Sequence, residues 1–69
     1  MFDQRRVSVD LSTLRFPLSA LIKEVENEIK MRRSVYANRV GHQRMTQSEA
    51  DRKIAKMEDV RALLMRMAE

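Results

Sequence analysis

The chain reads as a mostly all-α protein, an antiparallel two-helix hairpin behind a short extended arm, and three observations predict it. One Gly, one Pro and no Trp occur in 69 residues, of which 35% are charged; this is the composition of helices laced with surface charge rather than of sheets. Two long segments carry apolar residues at spacings of three and four, the repeat of a helix with one buried stripe. The single glycine, Gly41, lies between them. A chain this short has room for one domain, which divides into an arm (1–16) and a hairpin (17–69).

In the arm, Arg5 to Phe16 begins with alternation. Val7, Val9 and Leu11 fall on one face, and Arg6, Ser8 and Asp10 on the other. Period two predicts an extended strand, and the slip at Ser12-Thr13 makes it short. A lone strand has no partner within one chain, so it docks on the helices, pairs with a second chain or stays an arm.

Helix one is expected over 17–40. Pro17 suits a first turn, where a missing N–H costs nothing, and Ser19 is the alternative N-cap. Leu18, Leu21, Ile22, Val25, Ile29, Tyr36 and Val40 form the stripe, interrupted at Arg32 and Arg33. Acids in its first half and bases in its second agree with the helix dipole, and Glu26–Lys30 and Glu28–Arg32 are i,i+4 pairs in the favoured order. Gly41 fits the left-handed position that ends a helix, opening a turn over 41–45.

Thr46-Gln47-Ser48-Glu49 matches a capping box and starts helix two, expected over 46–68. Its stripe is Ala50, Ile54, Met57, Val60, Leu64 and Met67, flanked by Leu63. Similar lengths and a short connection give an antiparallel hairpin, with Ile29, Ile54 and Leu64 the expected core. Met57, Met65 and Met67 read as core filler, or as an adaptable groove.

Two helices leave much of each stripe uncovered. Small folds usually add disulfides, metals or partners. Here there is no Cys and one His, which argues against a disulfide and a nitrogen or sulfur metal cage. A homo-oligomer is therefore expected, most simply a dimeric four-helix bundle. No apolar run approaches the ~20 residues of a membrane span, and Met-Phe-Asp-Gln-Arg-Arg is not a signal-peptide start. The expected location is the cytoplasm, without membrane attachment.

Charge is distributed unevenly. Ile29 to Ser48 carries Lys30, Arg32, Arg33, Arg39 and Arg44 and no acid, so regional charges of −1, +5 and 0 for 1–28, 29–48 and 49–69 make up the net +4. These five bases are the candidate contacts. They form either a solvated helix end, pairing with acids of the neighbouring helix, or an electrostatic patch for phosphates or an acidic protein surface. Lys30 and Arg33 share one side of a helix and Arg32 and Arg39 another, which suits a diffuse patch better than groove reading. Tyr36 reads as a packed stripe residue before it reads as a base-stacking platform. The Arg32–Arg33 interruption either snorkels or fixes a register with a partner.

Enzymatic chemistry finds little to work with. His42 is the only imidazole and falls in a loop, while Glu24, Glu26 and Glu28 alternate around the helix and do not converge as an acid/base pair. A non-enzymatic protein with no cofactor is expected.

The segment Met31-Arg32-Arg33-Ser34-Val35-Tyr36-Ala37-Asn38-Arg39-Val40, with Arg44-Met45-Thr46-Gln47-Ser48-Glu49-Ala50-Asp51-Arg52 and Met57-Glu58 beyond, resembles small helical-hairpin proteins of bacteriophages and prophages. The shared pattern is Arg-Arg-x-Val-Tyr, then Ala-Asp-Arg, then Met-Glu; Ala37 stands where many of them have Pro. The resemblance implies a phage or prophage origin, host-cell cytoplasm and a hairpin, and brings no activity with it. The expected role is contact with a host or phage protein. A second resemblance, to ribbon-helix-helix repressors, lies in a basic strand followed by Phe16-Pro17 and two helices. It implies nucleic-acid binding through Arg6, Ser8 and Asp10, but helix one is too long for that family and its Gly-x-Ser turn is missing.

Overall fold

The computed structural model describes residues 11–69, and the strand expected at Val7 to Val9, with Arg6, Ser8 and Asp10, lies outside them. Within the expected arm, Leu11–Thr13 forms one turn of 3-10 helix rather than extended chain, closed by the Leu14 N–H on the Leu11 carbonyl at 3.2 Å. This is where the alternation slips, and no apolar face remains there to hold a strand.

Two helices follow, α1 (Leu18–Gly41) and α2 (Gln47–Met67), packed against each other as a hairpin. Pro17 stands just before α1 with extended backbone, offering no side-chain cap. Its carbonyl accepts the amides of Ala20 and Leu21 at 3.0 and 3.2 Å. Ser19 lies inside the helix and is not the cap.

The exit of α1 corrects the sequence reading. Gly41 remains helical and has no positive φ; Gln43 takes the left-handed conformation, with φ 59°. The Arg44 N–H donates to the Arg39 carbonyl at 2.8 Å and the Gln43 N–H to the Val40 carbonyl at 3.0 Å, the two bonds of a Schellman cap. The His42 amide still finds the Asn38 carbonyl at 3.1 Å, so nothing obliges the chain to turn at the glycine. Turning at Gln43 brings Arg44 and Met45 directly to the start of α2. There the expected cap is present: Thr46 Oγ1 accepts the Glu49 amide at 3.1 Å.

The packed seam repeats at spacings of four and three. In α1 it is Leu18, Ile22, Val25, Ile29, Arg32, Tyr36 and Val40; in α2 it is Ala50, Ile54, Met57, Arg61, Leu64 and Met67. Two cations thus occupy seam positions. Val60, expected on the stripe, is displaced from it by Arg61 and is exposed, because spacings of 57–61–64 and 57–60–64 are both helical. Among the described residues only Ile29 and Ala50 are buried, at 6% and 5% exposure. Ile29 is core as expected; Ile54 and Leu64 are half-buried rather than buried, since a second helix covers only one flank of each.

Candidate functional site

The five bases of the central stretch do not form one patch. Arg32, in the seam, donates from Nε to Glu28 Oε1 at 2.8 Å, the expected i,i+4 pair. That hydrogen bond raises the Arg32 guanidinium above its ordinary pKa despite some desolvation, with Tyr36 adding in the same sense; the group stays charged. Arg33 reaches across the hairpin to Glu58 at 3.2 Å. Glu26, expected to pair with Lys30, is taken instead by Arg61 at 2.7 Å. Exposed pairs of this kind are worth about 0.2–1 kcal/mol each, so the two cross-helix bridges set register more than stability.

Lys30, Arg39 and Arg44 have no ion pair among the described residues. The Schellman cap brings the last two together: Arg39 and Arg44 occupy the positions whose side chains usually make an apolar contact in that motif. With Ser34, Val35 and Asn38 they line a shallow hollow of about 340 Å3 at the loop end. Lys30 lies on the other side of α1, three residues before Arg33 and on the same face as it, and does not join Arg39 and Arg44.

The two broad faces of the hairpin differ. Residues one place after a seam residue (Glu26, Lys30, Arg33 and Ala37 in α1; Asp51, Ala55, Glu58 and Ala62 in α2) share one face, as the Arg33–Glu58 bridge requires. Clefts on that face are lined by Arg33, Tyr36, Ala37, Gln47, Asp51 and Glu58, with Gln47 Nε2 donating to Asp51 Oδ1 at 2.8 Å. Residues one place before a seam residue share the opposite face. Here Met31, Val35, Val60 and Leu63 are exposed at 57, 41, 44 and 61%. At its open end Phe16, Ala20, Leu21 and Glu24 line an apolar hollow of about 440 Å3.

That apolar face is what the sequence reading missed. The signal was present in the register: once Arg32 and Arg61 are placed in the seam, Met31, Val35, Val60 and Leu63 fall together outside it. Among the described residues no three His, Asp or Glu side chains cluster as metal ligands. No described helix is long and apolar enough to cross a membrane. His42 caps α1 through its backbone. Compared with known proteins, the chain matches no family model, no curated protein and no solved structure.

Proposed function

We propose that this protein is a non-enzymatic, phage-type accessory module that works by protein–protein contact, either with its own kind or with a host or phage protein in the host cytoplasm. One observation carries the reading. A hairpin with two buried residues also exposes four large apolar side chains on one face, and contiguous exposed apolar surface rimmed by charge is the mark of a protein interface. The expected experiment is affinity capture from infected or lysogenic cells with and without nuclease. Capture of a defined protein that survives nuclease and moderate salt supports the reading, and loss of all capture on nuclease treatment overturns it.

A second reading rests on the cap that sets Arg39 beside Arg44 with no carboxylate paired to either among the described residues. Two guanidinium groups at one helix end suit phosphates, giving a small nucleic-acid-binding protein. R39Q/R44Q leaves the three ion pairs among the described residues intact and so separates charge from fold. Retention of labelled duplex or single strands by the parent, falling steeply with salt and lost in the variant, would promote this second reading over the first.

A further inference from the structure

The protein-contact reading can be carried to a specific occupant, because the apolar face has a charge pattern that matches itself. The bridges join residue 61 to 26 and residue 58 to 33, so the register lies between them and sets the stretch 58–61 of α2 beside the stretch 26–33 of α1. On that register Val60 and Leu63 lie toward the open end of α2, whereas Met31 and Val35 lie toward the loop end of α1. The apolar groups therefore run diagonally across the face. The other diagonal is charged: Glu24 and Glu28 stand on the open half of α1, Lys53 and Lys56 on the loop half of α2. Neither lysine nor Glu24 has an ion-pair partner among the described residues, and Glu28 has only Arg32.

Four in-plane two-fold axes can stack such a face on its own copy. The one along the charged diagonal is repulsive, because it sets Glu24 and Glu28 over the same acids and Lys53 and Lys56 over the same lysines. An axis along the helices lays Glu24 and Glu28 over the partner's α2 apolar pair, and an axis across the helices lays them over the α1 apolar pair. Both bury carboxylates against apolar groups, which is costly. An axis along the apolar diagonal returns Met31, Val35, Val60 and Leu63 onto the same four residues and sets the acidic quadrant of each copy over the lysine quadrant of the other. With a rise of ~1.5 Å per residue and helix axes ~8–10 Å apart, the two arms of this diagonal are about equal. The hairpins would then cross at roughly a right angle.

We propose that this face docks a second copy of the chain about that diagonal axis, forming an isologous, crossed four-helix dimer with Glu24 and Glu28 of each protomer facing Lys53 and Lys56 of its partner. The proposal rests on the protein-contact reading. It concerns the full chain, and sedimentation across a micromolar dilution series tests it. The parent should dimerise; E24K/E28K and K53E/K56E should each dissociate at least tenfold more readily at unchanged helicity; an equimolar mixture of the two should recover the parent's dimer. The chain has no cysteine, so V35C and L63C report on the axis directly, and each should form a disulfide with its own copy. A monomeric parent, charge variants as dimeric as the parent, a mixture that stays monomeric, or failure of either cysteine variant to cross-link would overturn the diagonal dimer. Nuclease-resistant capture of a different protein by such a monomer would leave the broader reading standing, so the two failures are distinguishable.

Discussion

The two ends of the hairpin are held by different means. At the loop end the backbone closes on itself: a Schellman cap ends α1, Thr46 caps α2, and the small Ala50 is buried where the helices meet. At the open end Pro17 provides only its carbonyl, and Leu18, Leu21, Leu64 and Met67 are half-buried although they are larger. Closing a short loop carries a small entropic penalty, so local bonds suffice at one end. The other end depends on apolar area, and two helices alone do not cover it.

This contrast can be broken by substitution. Ile29→Ala should have the largest effect, a loss of about 2–5 kcal/mol in a denaturation series, with Leu64→Ala clearly smaller because its side chain is half-exposed. Equal losses at the two sites would mean that the open end is as well packed as the middle. Next comes Ala50→Leu, where overpacking a buried small site should destabilise by about 1–3 kcal/mol; a neutral result would show the helices free to separate at the loop. Thr46→Ala should lose about 0.5–2 kcal/mol and Ser48→Ala less, since only Thr46 accepts the Glu49 amide. The smallest effect has the opposite sign. Gln43→Gly should stabilise by a few tenths to about 1 kcal/mol, the left-handed strain relieved less the added freedom of glycine in the unfolded chain. Gly41→Ala should be harmless, with nothing beyond the local helix backbone and the adjoining residues within 4 Å of the added methyl; a marked loss there would restore the glycine to the role the sequence suggested.

Helix starts and stops were not equally legible. Thr46 and Glu49 announce a start through side-chain chemistry, and the structure places α2 one residue later, as the cap demands. The stop of α1 is a backbone event that glycine permits without compelling, so Gly41 pointed to the right turn and the wrong residue. The hairpin itself followed from periodicity. The seam did not follow completely, because a search for apolar residues passes over Arg32 and Arg61 and takes Val60 instead. Cross-helix partners such as Glu26 with Arg61 depend on register, which spacing within one helix does not contain. The five bases were visible as a stretch, but their division into bridged and unbridged groups required the fold.

The compact loop also has a consequence for limited digestion. Arg15 and Arg44 are the only Lys or Arg among the described residues that lie outside the two helices, so within residues 11–69 a trypsin-like protease has one bond before α1 and one between the helices that need no helix to unwind. The bond after Arg15 lies beyond any cap, whereas the one after Arg44 adjoins an amide already bonded to Arg39. Scission after Arg44 would turn one folded chain into two peptides whose continued association depends on concentration.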